Sequence, residues 1–422
     1  MELSFEQVRA ARERQTPYVL RTPTEHSPDL SALVGREVYL KLENLQRTGA
    51  FKLRGAISRL LTLDPAERQR GVLTASAGNH GQGVALAAKL LGLPATVVLP
   101  VGAPLAKIAA IQRHGAEVVL EGAAYDAAHE HALDLARERG QAYIHAFEDP
   151  DVMAGQGAVA LELLEDVPDL DALIVPVGGG GLISGMATAA RAVRPEVKIV
   201  GVQAEGSGAL AASFRSGRLQ TGQASTIADG IAVKVPSPRT FAVIQHCVDD
   251  VVTVSDEAIA RTIVLLLERH KLLAEGAGAA ALAALIEGVI SATLLPPGAK
   301  VCAVVSGGNI DPLLLGKVLQ HGMASAGRYL ALRTWLEDRP GQLQELTQLL
   351  AAERINILHV GIHRLGPYTS LGRVGLDLIV ETRDRPHAEN VLTLIRRHGY
   401  PAEEALDMVP PEHTANGQSP AV

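Results

Sequence analysis

From Gly71 onward the apolar positions fall into short unbroken aliphatic runs separated by segments of helical period. Val72 to Ala75, Ala95 to Leu99, Glu117 to Leu120, Leu173 to Val177, Lys198 to Val202 and Val301 to Val305 read as strands buried on both faces. Between the first of them, Gly83 to Leu91 and Ala106 to His114 repeat their apolar residues at three and four positions. Each of these patterns stops at a glycine, Gly92 and Gly115, as helices commonly do. Alternation of strand and helix predicts a parallel, doubly wound sheet.

The pattern changes after Gly327. Tyr329 to Leu336 alternates like a half-exposed strand, and Asp338-Arg339-Pro340-Gly341 turns into a helix through Ala352. Asn356 to Arg364 and Arg373 to Thr382 read as strands, Pro386 to His398 as a helix, and Tyr400 to Ala405 as a short final strand. That order predicts a ferredoxin-like α+β unit over residues 328–407, following a larger unit over 1–325. Glu412 to Val422 is polar with Pro and Gly, and its composition predicts a disordered tail.

Composition sharpens this picture. The 422 residues exceed one ordinary core, and 47% of them are apolar while only 3% are aromatic, so the cores must be built from Ala, Val and Leu. The net charge of −7 is spread along the chain, and no basic cluster points to nucleic acid. Cys247 and Cys302 make no disulfide framework, which fits a reducing compartment. Glu2 and Glu6 follow Met1 where a signal peptide would be cationic. The longest apolar stretch, Ala277 to Leu295, is interrupted by Glu287 and Gly288. A cytoplasmic protein without membrane spans is expected, and no metal site, because no His/Cys cluster has ligand spacing.

Four segments carry candidate chemistry. Thr48 to Gly55 reads TGAFKLRG, with Lys52 among small residues and one aromatic, Phe51. A lone lysine is ordinarily a solvated surface charge. Gly49 and Ala50 suggest close packing instead, and a lysine that attacks a carbonyl must be desolvated enough to be neutral. Gly178-Gly179-Gly180-Gly181 follows the strand ALIVPV and precedes a helix from Leu182 to Val193. Its amides, free of Cβ obstruction, form an anion nest at a helix N-terminus, unless the run is merely a flexible loop. Neither a dinucleotide fingerprint nor a P-loop fits that run, so a phosphate-only cradle is the better reading. Ser76-Ala77-Gly78-Asn79-His80 lies between the strand ending at Ala75 and a helix beginning near Gln82, a natural clamp for a carboxylate. Ser306 follows the strand Val301 to Val305, at the carboxyl end where open sheets bind ligands.

In order and spacing, these segments resemble the threonine dehydratase (threonine ammonia-lyase) family of pyridoxal-phosphate enzymes from about Leu20 to Asp311. The resemblance implies a tryptophan-synthase-β-like fold of two subdomains with the cofactor between them, the smaller formed by roughly residues 45–150. It implies that Lys52 carries pyridoxal phosphate with Phe51 beside the ring, and that Gly178 to Gly181 cradle the phosphate. Ser306 would meet the pyridine nitrogen, Asn79 the phenolic oxygen, and Ser76, Ala77 and Gly78 the substrate carboxylate, with His80 as a neighbour. Glu275, in the family-like run Glu275-Gly276-Ala277-Gly278, would line the ring. Turns and close helix packing explain that run equally well, and likewise Ala228-Asp229-Gly230 and Ala154-Gly155-Gln156-Gly157.

Departures from the family pattern narrow the reading. In related serine racemases a second serine stands where this chain has Ala77, so the base on the opposite face is missing and elimination is favoured over racemisation. Some relatives bind a divalent cation through a glutamate in the segment matching Gly201 to Ala209, where this chain has Gln203, and Ala209 where a second carboxylate would lie. The Asp-Arg-Pro-Gly turn and its helix resemble an ACT domain, the small amino-acid-sensing module. The expected activity is elimination of ammonia from L-threonine to give 2-oxobutanoate, with L-serine as a side substrate giving pyruvate. An amino-acid effector is possible at the ACT-like unit, as in isoleucine biosynthesis, and a homo-oligomer, dimer or tetramer, is expected by resemblance. The competing readings are a serine dehydratase or racemase on the same scaffold, and a catalytically silent amino-acid sensor.

Overall fold

In the computed structural model, which describes residues 3–325, 327–364 and 372–405, the chain divides into units of residues 1–315 and 316–422. The tail expected from Glu412 to Val422 lies outside the described residues.

The strands of the first unit are β1 (Thr24–His26), β2 (Glu37–Leu42), β3 (Val72–Ala75), β4 (Ala95–Leu99), β5 (Glu117–Leu120), β6 (Ala142–Tyr143), β7 (Ala172–Pro176), β8 (Lys198–Ala204), β9 (Asp250–Val254) and β10 (Lys300–Val305). They form two sheets. The larger runs β1-β2-β10-β7-β8-β9, parallel except for β1, and the smaller runs β5-β4-β3-β6, parallel throughout. Both sheets bury small aliphatic side chains, as the scarcity of aromatics requires. Leu173, Val175, Ile183, Met186, Ile199 and Val304 pack together beside the larger sheet. A cluster including Leu53, Ile57, Leu60, Val84 and Ile144 joins the smaller sheet to the helices over it.

β10 lies between β2 and β7, pairing Val301 with Val38 on one side and with Ala172 on the other. The chain therefore returns from near residue 300 to the centre of a sheet begun near residue 40, and this closure places Ser306 beside the Lys52 loop. The helices Lys52–Leu61, Asn79–Leu91 and Pro150–Asp166 pack on one another through small residues. A Cβ at Gly83 would lie 3.1 Å from the carbonyl carbon of Lys52, so any side chain there would push the lysine's helix away.

The second unit contains β11 (Tyr329–Glu337), β12 (Ile357–His363), β13 (Arg373–Glu381) and β14 (Ala402–Glu404) in an antiparallel sheet ordered β12-β13-β11-β14. Helices Gln342–Ala352 and Arg385–Arg397 share a core with Leu330, Leu332, Leu376, Leu378 and Ile395. No helix among the described residues is long and apolar enough to cross a membrane.

Candidate active site

The lysine loop is tied down before its helix begins. Gly49 adopts φ +71°, where a Cβ would also fall 2.5 Å from Asn309 Oδ1. Ala50 bridges to Gly307, Phe51 N donates to the Ser306 carbonyl at 3.1 Å, and Gly308 N donates to the Gly49 carbonyl at 2.8 Å. Lys52 is the first residue of the helix Lys52–Leu61. Sequence signals far apart in the chain are thus joined by backbone hydrogen bonds.

The Lys52 side chain is half-buried and has no ion-pair partner among the described residues. Its Nζ donates to the Ala146 carbonyl at 2.9 Å and stands 5.1 Å from the centre of the Phe51 ring. Burial pushes its pKa down to about 8, with Glu275 opposing the fall. A substantial neutral fraction at neutral pH is what a nucleophilic amine needs. Two histidines lie near without adding charge. His80 is buried with Nε2 3.0 Å from the Ile144 carbonyl, and burial together with Lys52 pushes its pKa down to about 3. His145 accepts the amides of Phe147 and Glu148 on Nδ1, at 3.3 and 3.0 Å, and burial lowers its pKa to about 4.

The segment Ser76 to His80 differs slightly from expectation. The helix begins at Asn79, not near Gln82, with Gly78 as its extended N-cap, so Asn79 and His80 stand on its first turn. Ser76 Oγ accepts the Gly78 amide at 3.2 Å, which shapes the loop, and Ala77 and Gly78 are half-buried beside it. Asn79 Nδ2 donates to Glu275 Oε1 at 2.6 Å, and its Oδ1 accepts from Asn309 Nδ2 at 2.8 Å. Asn309 also donates to the Thr48 carbonyl at 2.7 Å, linking the helix N-terminus to the lysine loop. Glu275 is buried as the N-cap of the helix Gly276–Ile286, and burial, reinforced by Asp229, raises its pKa to about 7. Gly307 sits so close beneath it that a Cβ there would meet Oε1 at 2.3 Å.

Gly178 to Gly181 connect β7 to the helix Gly181–Val193, with Gly180 at φ +90°. A Cβ at Gly179 would lie 2.4 Å from the Phe147 ring, and one at Gly181 2.8 Å from the Phe147 backbone. Among the described residues none of the four amides donates to a backbone carbonyl. Free amides at a helix start, on a loop that tolerates no side chains, fit a phosphate. With the low-pKa lysine, they make the residues present compatible with a phosphorylated aldehyde cofactor.

Two features lay outside the sequence signals. The segment Ile144 to Glu148, after the two-residue strand β6, holds Lys52 through Ala146, His80 through Ile144 and the glycine loop through Phe147. Its only local signal is the short aliphatic–aromatic run before Asp149-Pro150, which is too brief to read. The second is a buried charge cluster two residues beyond Lys52. Arg54 donates to Glu43 Oε2 and Oε1, both at 2.8 Å, and to Glu162 Oε1 and Oε2 at 2.7 and 2.8 Å. Lys41 Nζ donates to Glu162 Oε2 at 3.0 Å and to the Thr22 carbonyl at 2.7 Å, while the Thr22 hydroxyl donates to Glu43 Oε1 at 2.5 Å. Gln203 holds the Ala211 amide at 2.8 Å, and no group of three or more metal-ligating side chains occurs among the described residues.

The family described as "Pyridoxal-phosphate dependent enzyme" matches residues 15–307, and "ACT domain" matches residues 331–399. The chain is 43% identical over 399 residues to an L-threonine ammonia-lyase of Thermotoga maritima, covering 94% of this chain and 98% of that one. An L-threonine ammonia-lyase of Geobacter sulfurreducens is 44% identical over 400 residues, with the same coverage. Among solved structures, maize serine racemase superposes with a TM-score of 0.71 at 36% identity, covering 77% of this chain and 99% of that one. The processed form of threonine deaminase isoform 2 from Solanum lycopersicum gives 0.71 at 35%, covering 76% and 95%.

Proposed function

The chain belongs to the pyridoxal-phosphate-dependent enzymes and carries an ACT domain, and from that premise we propose that it is an L-threonine ammonia-lyase. Its reaction is elimination of ammonia from L-threonine to give 2-oxobutanoate, with L-serine giving pyruvate as a side activity. The observation that carries the reading is the Lys52 amine. It is withdrawn from bulk water, shifted to a pKa of about 8 and pinned by its loop against the strand end at Ser306.

Bound pyridoxal phosphate supplies the electron sink that makes the Cα–H bond of an amino acid acidic. The chain supplies the rest. Lys52 would hold the cofactor through its amine, and the same Nζ, when free, is the group that would take the Cα proton. Gly178 to Gly181 would hold the phosphate through their amides. The Ser76–Gly78 loop and the first turn at Asn79 receive the substrate carboxylate. Phe51 would lie beside the ring, and Asn79, whose amide Glu275 holds, would meet the phenolic oxygen. Ser306 would present its hydroxyl to the pyridine nitrogen. A neutral partner there leaves the ring a weaker sink than a carboxylate would, which favours loss of the β-hydroxyl over transamination. Ala77 offers no proton donor on the opposite face, which favours elimination over racemisation.

The ACT module, in this reading, binds an amino-acid effector, and the protein works as a cytoplasmic dimer or tetramer. The test is 2-oxoacid formation by cofactor-loaded protein from L-threonine and L-serine. A higher kcat/KM for threonine supports the proposal. No 2-oxobutanoate from protein with bound cofactor refutes it, and a preference for serine, or formation of D-serine, hands the site to the serine dehydratase or racemase reading.

A further inference from the structure

The subdomain built on the smaller sheet meets the larger one across the face where the carboxyl ends of β3, β4 and β5 open. Two ion pairs cross there. Lys107, in the helix Leu105–Gln112 after β4, donates to Asp229 Oδ2 at 3.0 Å, and Lys234 Nζ lies 3.8 Å from Asp126 at the start of the helix Tyr125–Arg139. The charges are reciprocal: the smaller side offers Lys107 and Asp126, the larger Asp229 and Lys234.

Little else holds these segments together. Among the described residues no backbone hydrogen bond joins residues 95–126 to 222–236. Beside the two pairs, four of their apolar side chains face solvent, Val101 at 64%, Leu105 at 83%, Tyr125 at 50% and Val235 at 61% exposed. The larger-side segment, by contrast, is anchored at the site itself. Asp229 opens the turn Asp229–Ile231, where a Cβ at Gly230 would stand 3.0 Å from Ala277 Cβ and 3.5 Å from Glu275 Oε1. Residues 229–231 therefore lie against the carboxylate that holds Asn79.

We infer that Lys107 and Asp229 form a latch that holds the smaller subdomain over the bound amino acid, with Asp126 and Lys234 setting its register. Lys107 and Asp229 are positioning residues, acting through the segments that carry them. The pair is half-open to solvent, with Lys107 28% and Asp229 63% exposed, so it is suited to break and reform as substrate enters and product leaves. An exposed pair is also screened by salt, which makes the latch sensitive to ionic strength.

The latch can be tested without catalysis and then with it; the kinetic part rests on the proposed ammonia-lyase reading. Hydrogen–deuterium exchange is measured on cofactor-loaded wild type, Lys107→Glu, Asp229→Lys and the double exchange of both. Amides in 101–126 and 222–236 should exchange about fivefold faster or more in each single variant and return toward wild type in the double one. The KM for threonine should rise in the single variants more than kcat falls, and the double variant should recover it. Unchanged exchange in both segments, or a double variant as open as the singles, overturns the latch. If wild type makes no 2-oxobutanoate, the proposed activity falls, and the exchange measurement still decides the latch.

Discussion

Lys52 and Arg54 stand two residues apart on one helix, both withdrawn from bulk water, and their surroundings treat them in opposite ways. Arg54 is fully buried, yet two carboxylates meet its guanidinium with four hydrogen bonds, and Lys41 joins them, so two positive and two negative charges close on themselves. Burial alone would lower the Arg54 pKa; Glu43 and Glu162 more than reverse it, and the value is raised. Lys52 has one carbonyl and an aromatic face, and its pKa falls to about 8. Nearby Glu275 moves the other way, up to about 7. A paired buried charge fixes geometry, whereas an unpaired one becomes a proton that can move near neutral pH.

Removing the unpaired cation gives the largest effect. Lys52→Ala should abolish turnover, losing at least roughly 10²–10⁴-fold from acid–base work alone, while circular dichroism stays native. More than a few per cent residual 2-oxobutanoate without added amine would show that Lys52 is not the base. Breaking the paired group should act on stability. Arg54→Met leaves buried Glu162 with Lys41 and buried Glu43 with only the Thr22 hydroxyl, and should cost about 3–5 kcal/mol in urea unfolding. A loss below about 1 kcal/mol would mean that the cluster is solvated in solution.

Glu275→Gln sharpens the contrast at smaller scale. It keeps an acceptor for Asn79 and should cost about 1 kcal/mol of hydrogen bonding, roughly fivefold in kcat/KM. The native carboxyl titrates near 7 and the unfolded one near 4.5, so the folded state binds more protons between those values. Wild-type stability should therefore fall as pH rises from 4.5 to 7, and the variant should lose that slope. Equal slopes in the two proteins would place Glu275 in contact with water. The smallest effect belongs to a pair that is close but exposed. Arg385 reaches both oxygens of Glu404, at 2.5 and 2.7 Å, yet is about half exposed. Arg385→Ala should change stability by less than about 1 kcal/mol, and a larger loss would mean that pairing matters more than burial.

The sequence made one side of this contrast readable. Lys52, Asn79, Gly178 to Gly181 and Ser306 sit on loops or at the helix starts that those loops lead into, where glycines and isolated polar residues stand out against aliphatic runs. The doubly wound and ferredoxin-like patterns were legible for the same reason, and Gly92 does stop its helix with φ +68°. Lys41, Glu43, Arg54 and Glu162 were invisible, because charged residues in a sequence read as surface until the fold brings them together. Phe147 and Ala146 were missed because β6 is two residues long and too short to leave a period. β2 and β9 also escaped notice: Glu37–Leu42 and Asp250–Val254 carry polar residues within or beside their aliphatic positions.

The bridge between Ala50 and Gly307 has a consequence for how the protein is made. Its partners lie at opposite ends of the first unit, and β10 must insert between β2 and β7 before either can meet the other. During synthesis, a ribosome that has finished the lysine loop, the glycine cradle and the smaller sheet still holds a chain whose lysine loop lacks its bonds to Ser306, Gly307 and Gly308. Until β10 emerges, the inner edges of β2 and β7 are unpaired and adhesive. Such long-range parallel pairing is slow and exposes the nascent chain to aggregation. Cofactor capture is thus a late event in the life of the polypeptide, and a premature stop anywhere before Ser306 should yield an insoluble, colourless product.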